Sequence, residues 1–353
     1  MTRGEFELID AFRARLPLPG WRVEVGSGDD AAVVRAGGSR SVISVDTTVD
    51  GTHARLDLGD RIDAAHDFGW RALTTALSDL AACGAPPGEA YVALTLPRTM
   101  PDELLLALAD GLAEAARTFG IDVVGGDVTS GPVVVASVTV VGWLTEHEAP
   151  LTRAGAQPGD LIGLTGPIGA AGAGLALELG RVRETALPAE VGGELRAAYR
   201  RPVPQVEAGP ALRAAGAHAA IDLSDGLLAD AAHVARASAL VLDLDPAAVP
   251  LARGVAETAA ALTGILVPAT SGNGASAMLD PAGAASAQLL FAATAGDDYE
   301  LLVAVPPANR AAAEAAGITT WIGTAREPAP GESPGVTGLP EPPSGAGGHD
   351  HRV

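Results

Sequence analysis

Six short segments set aspartate beside small or turn-forming residues: Gly28-Asp29-Asp30, Ser44-Val45-Asp46-Thr47, Ser78-Asp79, Gly125-Gly126-Asp127, Asp222-Leu223-Ser224-Asp225-Gly226 and Gly296-Asp297-Asp298-Tyr299-Glu300. Taken singly, each reads as a turn, because an Asp side chain bonds nearby backbone and glycine admits the dihedral angles. Two acids resist that reading. Asp46 ends an apolar strand predicted over 41–45, and Asp222 sits inside one predicted over 219–223. A carboxylate on such a strand is costly unless a cation meets it. Converging strand ends would gather these oxygens into a hard-donor set, which suits magnesium bridging to substrate phosphates. The glycines fit the same chemistry. Gly125 and Gly126 permit close backbone approach to phosphate oxygens, and Gly226 lies at a helix start, where N–H groups attract anions. Metal-assisted phosphoryl transfer is the chemistry these residues point to.

The chain has 353 residues and no lysine; its 23 basic residues face 43 acidic ones, for a formal net charge of −20. The missing lysines and the abundance of Ala, Gly and Arg read as genome composition, yet they have a chemical consequence. A Walker A loop needs its Gly-Lys-Ser/Thr end and a protein kinase its strand lysine, so both are excluded. Several metal ions would have to neutralise the phosphates instead. So acidic a surface repels nucleic acid and anionic membrane. Cys83 is the single cysteine, which rules out an intrachain disulfide and a cysteine-built zinc site. The apolar runs are too short and interrupted to span a bilayer, and the N-terminus lacks a signal peptide's features, so the cytoplasm is the expected compartment.

The elements that must carry these acids alternate. An amphipathic helix is expected over 5–15, strands over 31–34 and 41–45, a helix over 64–82, a strand over 90–96, a helix over 101–119, and strands over 122–124 and 133–141. From the strand at 41–45 onward the order is βαβαββ, which implies an α/β (α+β) first domain over 1–148. A second domain over 149–326 opens on a strand at 161–164. Helices are expected from 170 and over 205–214, a strand at 219–223 delivers Ser224-Asp225-Gly226, and a helix runs to 237. Residues 264–287 read as a flexible Ala/Gly/Ser-rich insertion, followed by a strand pair at 289–293 and 300–305. Residues 327–353 read as a Pro/Gly-rich, poorly ordered tail.

In this order the six segments resemble the thiamine-monophosphate kinase family. The resemblance rests on Gly26-Ser27-Gly28-Asp29-Asp30-Ala31-Ala32, Ser44–Thr47 with His53, and Leu77-Ser78-Asp79-Leu80-Ala81-Ala82-Cys83-Gly84-Ala85. Gly125-Gly126-Asp127, Leu151-Thr152-Arg153, Ile221–Gly226 and Gly296–Leu301 extend it over nearly the whole folded chain. It implies transfer of the ATP γ-phosphoryl group to thiamine monophosphate, directly and with several magnesium ions. It also implies a fold like that of aminoimidazole ribonucleotide synthetase: two α/β domains, with the N-terminal sheets pairing across a homodimer. By the same resemblance Asp30, Ser44, Val45 (through its carbonyl), Asp46, Asp79, Asp127, Asp222 and Asp225 would hold magnesium. Gly126, Asp127, Arg153 and Ser224 would contact ATP; His53, Asp297 and His349 would face the thiamine phosphate.

Each residue also has a plainer reading. His53 suits a solvated loop, Arg153 a turn, Ser224 a helix N-cap, Gly169–Gly174 close helix packing, Cys83 simple packing, and Asp57, Asp60 and Asp63 a solvated acidic face. The chain also departs from the family pattern. Asp297 stands where a glutamate is expected, His349 where an aromatic ring is expected, and the 264–287 segment precedes the substrate motif. Alternatives are another ATP-dependent enzyme of the superfamily with a different acceptor, or a non-catalytic binder of magnesium-nucleotide or thiamine phosphate. Selenophosphate synthetase is disfavoured by the missing early Cys and Lys, and aminoimidazole ribonucleotide synthetase by the Ser44–Thr47 and Gly296–Leu301 details.

Overall fold

The computed structural model describes residues 10–26, 31–266 and 281–341. The chain divides into two compact units, Met1–Pro150 with Val203–Pro210, and Leu151–Pro202 with Ala211–Val353. Val203–Pro210 therefore groups with the first unit although it lies inside the span expected for the second domain. The cause is close contact: a Cβ on Gly209 would sit 2.1 Å from the Ala81 carbonyl oxygen.

In the first unit, β1 (Val23–Val25) pairs with β2 (Val33–Val34). A separate sheet joins β3 (Arg40–Val49), β4 (Pro87–Leu96), β5 (Asp122–Ser130) and β6 (Val135–Leu144) in the order β3-β6-β4-β5. Its β4–β5 pair is parallel and the other pairs are antiparallel. Two helices, α1 (Arg61–Ala82) and α2 (Asp102–Phe119), pack against each other, and α1 packs on β3 and β6. Asp60, expected on a solvated face, caps α1 by accepting from the Ile62 and Asp63 N–H groups, and Asp57 pairs with Arg55. Gly120, in the left-handed region, closes α2. Strand alternation sets the faces: Ala136, Val138 and Val140 are fully buried toward the helices with Val92 and Leu94. The helices meet at glycine, because a Cβ on Gly69 would fall 1.9 Å from the Leu108 carbonyl oxygen and one on Gly111 1.8 Å from that of His66.

The second unit carries a six-stranded sheet in the order β12-β9-β11-β7-β10-β8. Its elements in chain order are β7 (Leu161–Leu164), α3 (Ala170–Glu178), α4 (Ala189–Arg200), β8 (Ala219–Asp222), α6 (Leu227–Ser238), β9 (Val241–Leu244), α7 (Val255–Leu266), α8 (Pro281–Thr294), β10 (Leu301–Val305), α9 (Arg310–Ala315), β11 (Thr320–Arg326) and β12 (Gly335–Thr337). Helix α5 (Ala208–Ala214) precedes β8. All ladders are antiparallel except β12–β9. Every residue of β10 is buried, so this strand is covered on both faces.

Three sequence expectations change. Residues 289–293, expected as a strand, lie in α8; the run Leu-Leu-Phe-Ala-Ala has no β-branched residue, and a short apolar run does not by itself separate helix from strand. Residues 281–287, expected as part of a patternless insertion, form the first turns of the same helix, with Pro281 at its start; residues 267–280 lie outside the described residues. The expected loose tail contains β12, and Glu332 anchors its approach by a two-pronged ion pair with Arg326. Two glycine substitutions separate close packing from local backbone preference. Gly111→Ala should lose about 3 kcal/mol in urea unfolding, because backbone must move. Gly193→Ala, inside α4 with nothing within 4 Å, should gain about 0.5–1 kcal/mol.

Candidate functional site

The first unit positions its acids by register. Asp46 stands opposite Val138, which pairs with Val92, which pairs with Gly126. The next row is Thr47, Ser137, Ala93 and Asp127. Val138 and Val92 belong to the core, so Asp46 and Ser44 lie on the helix-covered face, and Thr47 and Asp127 on the other. The hydroxyls of Thr47 and Ser137 meet at 3.0 Å on that second face. Asp46 is therefore inside a ten-residue strand rather than at its end. Its carboxylate accepts from the Thr47 N–H at 2.7 Å.

The same face receives the last turn of α1, where Asp79 accepts a hydrogen bond from the Ser44 hydroxyl. The structure thus joins Ser44 to Asp79 and sets Asp46 on the same face, while Asp127 lies across the sheet. Asp30 is outside the described residues. Among the described residues, no three His, Cys, Asp or Glu side chains are grouped to hold one metal ion. Gly126 has a steric reason to be glycine, since a Cβ would lie 2.0 Å from the Val92 carbonyl oxygen. Val45 points away from the helices with its side chain 63% exposed. His53 is half-buried in the turn after β3, where its Nδ1 accepts from the Val49 N–H at 3.1 Å. It is a structured turn residue rather than a freely solvated one.

The second unit concentrates acids on two interlocked turns. Strand β8 ends in buried Asp222 and delivers Ser224 and Asp225 to the start of α6. Gly226, at φ 104°, is the N-cap, so Ser224 does not cap the helix. Its carbonyl instead accepts from the Asp297 N–H at 2.8 Å. Leu223 completes the lock: its N–H donates to the Glu300 carbonyl at 2.8 Å, and its carbonyl accepts from the Tyr299 N–H at 2.9 Å. Asp225 and Asp222 are thereby brought into one turn cluster with Asp297.

Asp230, absent from the residues that the sequence singles out, ties the first turn together by accepting from the Asp225 and Gly226 N–H groups at 3.1 and 3.0 Å. Burial, and then the charges of Asp222 and Asp225, push its carboxyl up to about 8. An acid in the first helical turn after a glycine was the signal for it. Asp298 accepts from the Gly169 N–H at 2.7 Å, at the start of α3. Burial pushes it up to about 7 against those backbone bonds, with Glu300 and Asp297 adding to the rise. Glu300 is also raised by burial, opposed by its bond from the Thr165 hydroxyl at 2.5 Å. Arg153 is exposed, and its carbonyl accepts from the Ser238 hydroxyl at 3.2 Å. Burial, then Arg236 and Arg153, hold the His233 ring below the usual imidazole range, and Asp225 opposes them. His349 lies outside the described residues.

The residue patterns and the fold converge on known proteins. Residues 28–144 match the family model "AIR synthase related protein, N-terminal domain" and residues 157–328 the corresponding C-terminal domain. Over 261 residues the chain is 38% identical to the thiamine-monophosphate kinase of Mycobacterium tuberculosis, spanning 74% of each chain. This chain belongs to the thiamine-monophosphate kinase family. Its fold is similar to the crystal structure of the thiamine-monophosphate kinase from Stenotrophomonas maltophilia K279a, with TM-score 0.74 and 33% identity over 96% of this chain and 98% of that one. A second thiamine-monophosphate kinase structure, AaThiL complexed with AMPPCP and TMP, has TM-score 0.70 and 26% identity over 100% and 99% of the two chains. Among the described residues no helix is long and apolar enough to cross a membrane.

The raised Asp298 acid makes stability depend on pH with a definite sign. Its carboxyl holds a proton in the folded state up to about pH 7, whereas in the unfolded chain it loses it near pH 4. The folded state therefore binds more protons between these values, and this group's contribution to stability falls as pH rises through that window. Asp298→Asn cannot titrate. Its stability relative to the wild type, from urea unfolding at pH 5 and pH 8, should be higher at pH 8 than at pH 5.

Proposed function

We propose that this chain transfers the γ-phosphoryl group of ATP to the phosphate of thiamine monophosphate, giving thiamine diphosphate and ADP. One observation carries the reading: AaThiL, whose fold covers this whole chain at TM-score 0.70, has a solved structure complexed with AMPPCP and TMP. In this lysine-free chain the hard carboxylate and hydroxyl oxygens are the donors suited to magnesium. The Ser44–Asp79 contact and the mutual repulsion of Asp222, Asp225 and Asp230 support a fit to a divalent cation, since crowded carboxylates gain from one. In the first unit Asp30, Ser44, the Val45 carbonyl, Asp46 and Asp79 would hold magnesium, with Asp127 serving a separate ion from the other face of the sheet, and in the second Asp222 and Asp225 would do so. When bound, magnesium offsets the repulsion between nucleotide and acceptor phosphates and the charge that develops during transfer.

The chain's own residues bind and orient. Gly126, Asp127, Arg153 and Ser224 contact ATP, with the Arg153 fork matched in geometry to phosphate oxygens. His53, Asp297 and His349 take the thiamine phosphate. No side chain has to remove a proton, because an acceptor phosphate oxygen is already ionised near neutral pH. As that oxygen bonds to the γ-phosphorus, the bond from phosphorus to the β-bridging oxygen breaks, and its electron pair leaves with ADP. The transfer is direct, with no phosphoenzyme. A second copy of the chain is the proposed partner. Ile43 and Val45 are 60% and 63% exposed on the sheet face away from the helices, an apolar surface that suits pairing between copies in a homodimer.

Chromatographic assay of purified protein with magnesium, ATP and thiamine monophosphate tests the assignment. The wild type should form thiamine diphosphate and ADP, and EDTA should stop it. Asp46→Asn and Asp127→Asn should each lose about a hundredfold or more in rate while keeping a wild-type circular dichroism spectrum. Near-normal turnover in either variant would remove that residue from the site. A wild type that makes no thiamine diphosphate would overturn the activity.

A further inference from the structure

The turn 296–300 holds its tyrosine in a conformation that this residue type does not favour. Gly296, Asp297 and Tyr299 have φ of 71°, 62° and 53°. Among the described residues only three non-glycine residues have positive φ, and two of them are in this turn. The left-handed region is uncommon for any side chain and least suited to a bulky one. Such strain persists where surrounding contacts over-determine it, and it clusters at ligand sites. Those contacts are present. The Asp297 and Tyr299 N–H groups donate to the Ser224 and Leu223 carbonyls, and the Asp298 carboxylate is seated on the Gly169 N–H.

The unfavourable dihedral at Tyr299 has a geometric result. The ring is 7% exposed, and its hydroxyl turns back along its own chain to donate to Asp297 Oδ1 at 3.0 Å. An extended Tyr299 would point its side chain elsewhere and leave Asp297 without this bond. We infer that Tyr299 is a positioning residue whose hydroxyl fixes the Asp297 carboxylate against the acceptor substrate. The inference rests on the reading of Asp297 as a substrate contact. A carboxylate repels the acceptor's phosphate and attracts a cationic thiazolium or the amino group of a pyrimidine, so the fixed carboxylate addresses the heterocyclic end of the acceptor. The pair therefore acts on acceptor recognition rather than on ATP.

Steady-state kinetics on Tyr299→Phe, Asp297→Asn and the double variant test this. Tyr299→Phe removes one oxygen and keeps the ring. It should raise KM for thiamine monophosphate about tenfold, as expected for one lost hydrogen bond to a charged group, with KM for ATP unmoved and kcat changed less than twofold. Added to Asp297→Asn it should do nothing further, because the two residues act as one unit. Asp297→Asn alone, which removes the charge that the phenol holds in place, should raise the same KM and supplies the test if Tyr299→Phe fails to fold. An unchanged acceptor KM in Tyr299→Phe or in Asp297→Asn, equal rises in both KM values, or full additivity in the double variant would overturn the inference. A wild type that turns over no thiamine monophosphate fails the activity instead, and calorimetric affinities for thiamine monophosphate then give the same comparison. Absence of that binding in the wild type would overturn both.

Discussion

A backbone lock between two turns is the constraint on which the second unit's chemistry depends. Leu223 gives its N–H to Glu300 and its carbonyl to Tyr299, and Ser224 gives its carbonyl to Asp297. These are ordinary peptide hydrogen bonds, each worth about 1 kcal/mol net. Together they decide where five carboxyl groups stand. Asp222, Asp225 and Asp230 come from one turn and Asp297 and Asp298 from the other, with Glu300 behind them. Such crowding opposes folding, and the raised acids at Asp230 and Asp298 show how it is relieved: a proton is held where burial and neighbouring charge disfavour ionisation. Two of the turn's left-handed residues are the cost of bringing Asp297 to that position.

The first unit solves a related problem with a sheet. Its helices approach so closely that only glycine fits at Gly69 and Gly111, and α1, packed on β3 and β6, brings Asp79 to Ser44. The opposite face is left to Thr47, Ser137, Asp127 and the exposed side chains of Ile43 and Val45. One strand thus carries a half-buried acid neighbourhood on one side and an apolar surface on the other. Period-two alternation makes both from the same ten residues.

Most of this was legible where side-chain type and local preference agree. Pro101, the acids after it and Gly120 marked α2 because each acts within its own turn. Leu161–Leu164 and Ala219–Asp222 read as strands because buried strands are short apolar runs bounded by turns. Residues 289–293 failed for the same reason, since a short apolar run in a core is helix or strand according to its neighbours in space. Asp46 reads as a strand end because its charge interrupts the apolar run 41–45; pairing with β6 carries the strand on through Thr47 and Thr48 to Val49. Asp230 carried only the signal of an acid in the first helical turn, whose bonds to Asp225 and Gly226 are local. Tyr299 was not legible as a site-forming residue, because its placement arises from the long-range bond of its N–H to the Leu223 carbonyl.

Without a lysine anywhere in the sequence, the proposed chemistry makes divalent cations the means by which this acidic protein holds a polyphosphate. Isothermal titration of ATP into the protein, with magnesium and then with EDTA, tests that claim most directly. Saturable binding is predicted with magnesium, and a loss of at least about a hundredfold in affinity without it. Equal affinity in EDTA would mean that arginines and backbone N–H groups carry the phosphates, and would contradict a central role for the aspartates.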